Sequence, residues 1–401
     1  MLIVKKFGGT SVANKERIFH VAKRCIEDYI KGHDVVVVLS AMGKSTDDLI
    51  EMARDINPRP SKREMDMLVS TGEQVSVAMM AMALGALRVP AVSLNAYQVA
   101  MHTTHRYGNA KLKRIDTDRI FNELEQRKIV IITGFQGVDK YDNITTLGRG
   151  GSDTTAVALA AALHADACEI YTDVDGIYTA DPRYVKSARK LKEITYDEML
   201  ELSTLGAGVL HNRSVEMAKK YGVQLVVRSS LNNNEGTIVK EDIMEKMLVS
   251  GVASDKGAAR IAVIGLKDEP GIAFHLFNTL AKYQINVDII LQSVGRDGTK
   301  DISFTVDEDM ADEAIAVISK SFPRSEYKEI NLDKKVSKVS IVGAGMQTHP
   351  GVAASMFEAL YDCGVNIRMI STSEIRVTVL IDEQNTEKAI NAIHDKFSLD
   401  D

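Results

Sequence analysis

The chain has 401 residues, 45% of them hydrophobic and 26% charged, and its formal net charge is −6 at pH 7. The length predicts about two to three domains, and the composition is that of a soluble globular protein with a sizeable core. The acidic balance argues against nucleic-acid binding, and no apolar run approaches the ~20 residues of a membrane span. The N-terminal segment lacks the apolar core of a signal peptide, and Cys25, Cys168 and Cys363 are widely spaced in apolar patterns, as expected for reduced thiols. We therefore expect a cytoplasmic protein.

The chain opens with an apolar strand that delivers a lysine to a turn of two glycines and two hydroxyl residues: Gly8, Gly9, Thr10 and Ser11. A helical pattern follows. A strand, a glycine turn and a helix start are typical of a phosphate cradle, because backbone N–H groups and the helix dipole face the anion. The lysine is Lys5 or Lys6, since the two point to opposite faces of a strand. An ordinary βα turn is the alternative.

The next two candidate segments carry weaker signals. Residues 40–46 (SAMGKST) include the end of a P-loop motif, but Val38 stands where a P-loop has its first glycine. We therefore exclude a P-loop. Glu73 follows Ser-Thr-Gly at the start of an apolar helix, where a helix-capping acid is the simplest interpretation.

A second glycine turn lies at residues 147–155 and leads into an alanine-rich helix without charge, residues 156–163. Such a helix should be buried, with Ser152, Asp153 or Thr154 as its N-cap. Three glycines around Arg149 reduce stability unless the turn binds a ligand. Arg149 and Asp153 together therefore predict a ligand site at this helix start.

Strand-like segments alternate with helical ones up to about residue 230; they are 35–39, 91–94, 129–133, 169–172 and 224–227. This alternation predicts a largely parallel sheet covered by helices on both faces. Ligands of such sheets bind at the carboxyl ends of the strands. Tyr178 and Arg183 follow one of these strand ends, and they could contact a nucleotide or lie on the surface.

The C-terminal third contains an internal repeat with an offset of 80 positions, in which PGIA at 270–273 recurs as PGVA at 350–353. Each copy has the strand–helix–strand–strand–helix pattern of a small α+β module. The second copy ends at its last helix and is one edge strand short. We predict that residues 248–252 fill this edge, so that the first module is inserted into the second.

Five motifs in order, KFGGTSV, SAMGKSTD, STGE, GRGGSDTTA and TDVDGIYTADPR, resemble those of the aspartate kinase family, and the repeat resembles its paired ACT modules. The resemblance covers essentially the whole chain. It implies an α/β fold, with an αβα sandwich of the amino-acid kinase type at 1–240. A linker strand and a first ferredoxin-like ACT module would follow at 241–335, and a second module at 336–401. The implied activity is ATP-dependent phosphorylation of the side-chain carboxylate of L-aspartate, in the biosynthesis of lysine, threonine and methionine.

In that family an ionised carboxylate accepts the γ-phosphoryl group, so no general base is needed, and catalysis rests on alignment and charge neutralisation. The resemblance assigns catalysis to Lys6 and Asp153. Mg²⁺ is expected to arrive with ATP, bound by phosphates and water, and no residues have the spacing of a protein metal site. The residues implied for ATP and its phosphates are Lys6, Gly8, Gly9, Thr10, Ser11, Thr172, Asp173, Tyr178 and Arg183.

For the aspartate substrate, the resemblance implies that Glu73 binds the ammonium group and that Arg149 grips the α-carboxylate with its two-pronged guanidinium. The other residues implied for aspartate are Ser40, Thr46, Gly150, Gly151 and Ser152. One position departs from the family pattern, because Gly208 stands where many members have a lysine that contacts ATP.

The paired ACT modules imply an effector site for lysine, threonine or both. The residues implied for it are Gly271, Asp288, Gln292, Asn366 and Ile367. The alternative is that the modules only mediate dimerisation through their sheet edges, and in both cases we expect a homo-oligomer. Met244 and Met247 could start a separate small regulatory subunit.

Two rival functions stay open on the sequence. One is a related kinase that acts on glutamate, acetylglutamate or a nucleoside monophosphate, against which SAMGKSTD, STGE and the twin modules argue. The other is a catalytically inactive amino-acid sensor, against which the presence of Lys6 and Asp153 argues.

Overall fold

The computed structural model describes residues 1–205, 209–243, 247–294 and 298–399. The chain divides into two compact units. In the described residues, unit 1 comprises 1–177, 190–204 and 209–243, and unit 2 comprises 178–189, 205, 247–294 and 298–399. Residues 178–189 thus group with the C-terminal modules, although the sequence analysis placed them in the kinase domain. Gly208 and Met244, both singled out in the sequence, lie outside the described residues.

Unit 1 contains helices on the pattern expected for an α/β domain. They are α1 (Lys15–Ile30), α2 (Ser45–Ile56), α3 (Lys62–Val69), α4 (Thr71–Ala86), α5 (Asp118–Glu125), α6 (Gly151–Ala162), α7 (Tyr196–Thr204) and α8 (Asn212–Tyr221). Its strands are β1 (Leu2–Phe7), β2 (Asp34–Leu39), β3 (Ala91–Leu94), β4 (His102–Thr103), β5 (Leu112–Arg114), β6 (Ile129–Thr133), β7 (Gln136–Val138), β8 (Ile144–Thr146), β9 (Ala167–Thr172), β10 (Glu193–Thr195), β11 (Leu225–Ser229) and β12 (Thr237–Lys240).

The main sheet of unit 1, as far as the structure describes it, has the strand order β10-β12-β11-β9-β1-β2-β6-β3. Every neighbouring pair is parallel except β11 with β12. A smaller sheet, β5-β4-β7-β8, lies beside it in the same unit. The predicted largely parallel sheet and αβα sandwich are confirmed. The reason is visible in β2, whose DVVVVL sequence is almost entirely buried because helices cover both faces.

The two layers of helices can be assigned from β1, whose successive side chains point to opposite faces. Phe7 packs into a core with residues of α1 and α4, including Val21 and Met80. Lys6 points to the other face, toward the start of α6. The central strands of the sheet therefore lie between α1 and α4 on one side and α6 on the other.

From the sequence we expected no apolar run near the length of a membrane span, but the adjoining helices α3 and α4 form such a stretch. The stretch Lys62–Ala86 is long and apolar enough to cross a membrane by those criteria alone, and half of its most apolar window is buried inside the protein. A helix that is apolar on all sides is typical of a core position. Val77, Met80 and Leu84 are buried in the core of unit 1, so one face of α4 is a core face. The other face carries Val75, Met79 and Met82, which are exposed.

Unit 2 contains two modules of similar design. The first has β14 (Ala258–Lys267), α9 (Ile272–Lys282), β15 (Ile290–Val294), β16 (Thr299–Asp307), α10 (Ala311–Ser321) and β17 (Glu329–Asp333), with sheet order β15-β16-β14-β17. The second has β18 (Val336–Val342), α11 (Val352–Asp362), β19 (Met369–Thr372), β20 (Arg376–Asp382) and α12 (Thr386–Lys396). Both sheets are antiparallel.

The second module takes its fourth strand from before the first module. This strand, β13 (Gly251–Asp255), pairs with β18 in antiparallel register, with Gly251 opposite Val342, and the sheet order is β13-β18-β20-β19. It lies three residues later than the predicted segment 248–252. The first module is thus inserted between β13 and the rest of the second.

Candidate active site

The site begins with the alternation of β1. Lys6 Nζ lies 2.6 Å from Asp153 Oδ1, and both side chains are mostly buried. Lys5 points to the opposite face, where its Nζ lies 2.5 Å from Asp28 and 3.0 Å from Glu169. Of the two lysines only Lys6 therefore lies on the α6 side, where the second glycine turn ends.

The glycine turn after β1 packs tightly against the loop that follows β2. A Cβ at Gly9 would lie 2.5 Å from the carbonyl oxygen of Ala41, and the Gly9 carbonyl accepts a hydrogen bond from Gly43 N–H at 3.0 Å. The turn forms a short 3₁₀ helix, Gly9–Val12, and α1 starts only at Lys15 with Asn14 as its N-cap. The α1 dipole therefore begins after the 3₁₀ helix and not directly at the glycine turn. Ser11 is buried, and its Oγ has no partner among the described residues.

The second glycine turn corrects the predicted helix cap. The N-cap of α6 is Gly150, in the left-handed region at φ +68°, with no side-chain cap. Ser152, Asp153 and Thr154, the predicted caps, all lie inside the first turn. Gly150 is required for two reasons, because a Cβ would be strained at this φ and would also overlap the ring of His211. Because the Asp153 carboxylate does not cap α6, it is available to pair with Lys6.

Glu73 lies in the first turn of α4 and is buried at 3% exposure. Its Oε1 accepts a hydrogen bond from Ala41 N–H at 3.1 Å, and its buried Oε2 has no partner among the described residues. Burial raises the pKa of Glu73 to about 7, although hydrogen bonds from the backbone N–H groups of Glu73 and Ala41 lower this pKa in part. A buried carboxyl with one unsatisfied oxygen fits a site that completes its hydrogen bonding with a ligand cation.

These elements enclose one cleft of about 330 Å³, a size suited to a small ligand. The cleft brings together all nine residues predicted for catalysis and aspartate binding, with two glycines of the predicted phosphate set. They are Lys6, Ser40, Thr46, Glu73, Arg149, Gly150, Gly151, Ser152 and Asp153, with Gly8 and Gly9. It is also lined by Ala41, Gly43, Phe135 and Gly148, of which Phe135 lay outside every motif. Glu73 and Arg149 therefore give the cleft an anion and a cation, which are complementary to the ammonium and carboxylate ends of an amino acid, and Lys6 lies in the same cleft.

The predicted nucleotide residues are less concentrated. Thr10 and Ser11 lie in the 3₁₀ helix next to the cleft lining. Thr172 ends β9 and its hydroxyl accepts from Val174 N–H at 2.9 Å, with Asp173 exposed beside it. Tyr178 and Arg183 belong to unit 2, where Arg183 pairs with Asp181 at 2.6 Å. Among the described residues no cluster of His, Cys, Asp and Glu is arranged to hold a metal ion.

Sequence reasoning missed a buried ionic cluster behind the site. Lys5, 1% exposed, lies between Asp28 and Glu169, and Arg228 pairs with Glu169 at 3.0 Å. Burial alone would lower the pKa of Lys5, but Glu169 and Asp28 reverse this and raise it. The only sequence signal was the Lys-Lys pair in an apolar strand. This cluster ties β1, α1, β9 and β11 together on the face away from the cleft.

In unit 2, one of the predicted effector residues, Asp288, lies where the two modules meet. Asp288 Oδ2 accepts a hydrogen bond from Lys338 Nζ of β18 at 2.7 Å, and Lys338 also pairs with Asp255 at 3.1 Å. The next residue, Ile289, packs against Met369 of the second module. The remaining predicted residues are Gly271 in the left-handed region before α9, Gln292 on β15, and Asn366 and Ile367 before β19.

Comparisons with known proteins agree on the family. The model of the "Amino acid kinase family" matches residues 1–229, and that of the "ACT domain" matches 261–322 and 339–397. An aspartokinase of Bacillus sp. (strain MGA3) is 51% identical over 400 residues, covering 99% of this chain and 97% of its own. An aspartokinase of Helicobacter pylori is 49% identical over 406 residues, covering 100% of each chain.

Solved structures show the same likeness. E. coli aspartokinase III in complex with aspartate and ADP has a TM-score of 0.83 at 26% identity and covers 99% of both chains. The same E. coli enzyme in complex with lysine and aspartate has a TM-score of 0.80 at 26% identity, again over 99% of both. The chain therefore belongs to the amino acid kinase family and, within it, to the aspartokinases.

Proposed function

We propose that this enzyme transfers the γ-phosphoryl group of ATP to the side-chain carboxylate of L-aspartate, giving 4-phospho-L-aspartate and ADP. The observation that carries the proposal is one small cleft holding Lys6, Asp153, Glu73 and Arg149. The first pair suits a phosphoryl group, and the second suits the ammonium and α-carboxylate of an amino acid. The likeness to E. coli aspartokinase III in complex with aspartate and ADP supports the same substrates.

The chemistry follows from the charges in the cleft. The attacking aspartate oxygen is already ionised at neutral pH, so the site needs no general base. Lys6 neutralises charge on the transferred phosphoryl group, and Asp153, 2.6 Å away, fixes the ammonium of Lys6 in place. As the new bond to phosphorus forms, the bond to the β,γ-bridging oxygen breaks and ADP leaves with both electrons.

We propose that Mg²⁺ enters as the ATP complex. The described residues hold no three-ligand metal cluster, and Mg²⁺ in such sites keeps several waters and binds chiefly to substrate phosphates. Asp153 is the acidic residue of the cleft best placed to contact it or one of its waters. Consumption of ATP and three free cysteines fit a cytoplasmic location.

We further propose that unit 2 binds lysine, threonine or both as feedback inhibitors. The support is the position of Asp288 at the junction of the two modules and the likeness to E. coli aspartokinase III in complex with lysine and aspartate. A carboxylate at such a junction can bind an amino-acid ammonium and couple it to the packing of both modules. Pairing of module edges would give a homo-oligomer, and Met247 remains a candidate start for a separate regulatory subunit.

The test is ATP-dependent acyl-phosphate formation, trapped with hydroxylamine, with L-aspartate, L-glutamate and N-acetylglutamate in parallel, each with and without lysine and threonine. We expect product with aspartate only, reduced by at least one effector. Lys6→Ala should lower kcat by about 100-fold or more, since it removes the cation at the transferred group, while the protein stays folded. Near-normal turnover of Lys6→Ala would remove Lys6 from the mechanism, and product with glutamate alone would refute the substrate.

A further inference from the structure

The backbone that carries Arg149 is held by two side-chain contacts that no motif signalled. Arg149 is exposed in the cleft, and its guanidinium has no hydrogen-bond or ion-pair partner within the described residues. The position of its Cα is set by the backbone of the segment that runs from β8 through Thr146 and Leu147 to the glycine turn. Whatever fixes this segment fixes the point from which Arg149 reaches the ligand.

The first contact is made by Asp66 of α3, which is 2% exposed. Its carboxylate accepts hydrogen bonds from Thr146 N–H at 2.9 Å and from the Thr146 hydroxyl at 2.8 Å. It also accepts from Gly108 N–H, at 3.0 and 2.9 Å to its two oxygens. A carboxylate with three such donors is a rigid junction, and removing it would leave the two donors of buried Thr146 unsatisfied.

Asp66 lies on the helix that leads directly to Glu73. Helix α3 continues through Ser70 into α4, whose first turn carries Glu73. Asp66 therefore connects the helix pair that presents Glu73 to the strand end that presents Arg149. These two residues are the anion and the cation proposed for the two ends of aspartate, so their separation must match the substrate.

The second contact comes from Arg213 in the first turn of α8. Its guanidinium donates to the carbonyl of Leu147 at 2.9 Å and to the carbonyl of Ala110 at 2.7 Å. Ala110 in turn donates its N–H to the Thr146 carbonyl at 2.8 Å. Arg213 thus contacts the same short segment as Asp66: Asp66 binds Thr146, and Arg213 binds the next residue, Leu147. A planar guanidinium suits this role, because one lysine ammonium does not present the same fixed fork of donors.

We propose that Asp66 and Arg213 are positioning residues for aspartate, acting through Arg149: together they fix segment 146–149 relative to Glu73. The proposal rests on the proposed function, since it takes Arg149 as the ligand of the substrate α-carboxylate. Neither residue lines the cleft, so neither touches the substrate.

The test compares Asp66→Asn and Arg213→Met with the parent enzyme by kcat, KM for aspartate, KM for ATP and thermal midpoint. We expect KM for aspartate to rise about tenfold or more, because a misplacement of about 1 Å can cost up to about 100-fold. KM for ATP should change by less than about twofold, as Lys6 and its turn lie on other elements. Thr146→Val, which removes one of the Asp66 contacts, and Arg213→Lys give smaller changes in the same direction and serve if the stronger variants do not fold.

The matched control is Glu198→Gln. Glu198 is also buried and accepts from the backbone N–H and the hydroxyl of one threonine, Thr195, at 3.1 and 2.8 Å. It lies outside the cleft lining. Its loss should lower the thermal midpoint and leave the ratio of the two KM values unchanged. A merely structural role for Asp66 would give the same pattern and would overturn the proposal.

A double-mutant cycle with Arg149→Gln separates this proposal from the proposed function. If Asp66 and Arg213 act through Arg149, their substitution adds little to KM for aspartate once Arg149 is replaced. Full additivity would overturn the positioning role and leave the role of Arg149 intact. If Arg149→Gln alone leaves KM for aspartate unchanged, the assignment of Arg149 fails, and the positioning role fails with it.

Discussion

The raised pKa of Glu73 predicts a specific pH dependence of aspartate binding. Burial of this carboxyl raises its pKa from 4.5 to about 7. In the proposed role of Glu73, the substrate ammonium pairs with its ionised form, which makes up about 90% of Glu73 at pH 8 and about 10% at pH 6. KM for aspartate should therefore rise about ninefold from pH 8 to pH 6, while KM for ATP should not follow this titration.

Replacing Glu73 with glutamine tests the cause. Glu73→Gln should raise KM for aspartate at pH 8 by about 10- to 100-fold, the cost of losing a hydrogen bond to a charged group of about 1.5–3 kcal/mol. It should also abolish the additional rise toward pH 6. The fold should not weaken, because a folded-state pKa above the unfolded value means that the ionised carboxyl opposes folding as the pH rises from about 4.5 to 7.

The assay is the initial rate of acyl-phosphate formation at several aspartate concentrations between pH 6 and 8, with ATP and Mg²⁺ saturating. Glu51→Gln, which changes an exposed glutamate on α2, is the control and should behave as the parent. Two results would refute the reasoning. One is a KM for aspartate that is flat over this range in the parent, and the other is a pH dependence that survives in Glu73→Gln.

Three further predictions concern stability and regulation. Lys5→Met removes the buried cation between Asp28 and Glu169, which then keep only the more exposed Lys31 and Arg228 as partners. It should destabilise unit 1 by about 3 kcal/mol in urea unfolding. The folded fraction should keep its kcat because Lys5 faces away from the cleft, and unchanged stability would contradict this prediction. Gly150→Ala should lose both stability and aspartate binding. The control is Gly85→Ala, because Gly85 is a helical glycine with open space at its Cβ, and this substitution should stabilise the protein by about 0.5–1 kcal/mol. Equal effects of the two substitutions in thermal unfolding would contradict the cap assignment. Asp288→Ala should raise the effector concentration for half-inhibition at least about tenfold with uninhibited activity intact, and unchanged inhibition would place the effector site elsewhere.

Several features of this protein could be predicted because their signals are local in the chain. A strand shows its alternation within a few residues, so the opposite directions of Lys5 and Lys6 followed from β1 alone. A glycine turn between a strand and a helix carries its own pattern, and both turns line the cleft. The repeat of 80 positions and its missing edge also followed from counting, since each strand needs a partner.

Other features depend on residues far apart in the chain, and only the tertiary structure decided them. Glu73 has the sequence context of a helix-capping acid, and its role depends on the loop after β2 that buries it. Asp66 looks like an ordinary helical acid until Thr146 and Gly108 are brought to it. The N-cap of α6 is Gly150 rather than a neighbouring polar residue because the His211 ring closes off the space for any Cβ. Sequence alone determined which chemical groups the site contains, since strands and turns encode them locally. Tertiary packing decided their separation, burial and ionisation, because those depend on contacts between distant segments.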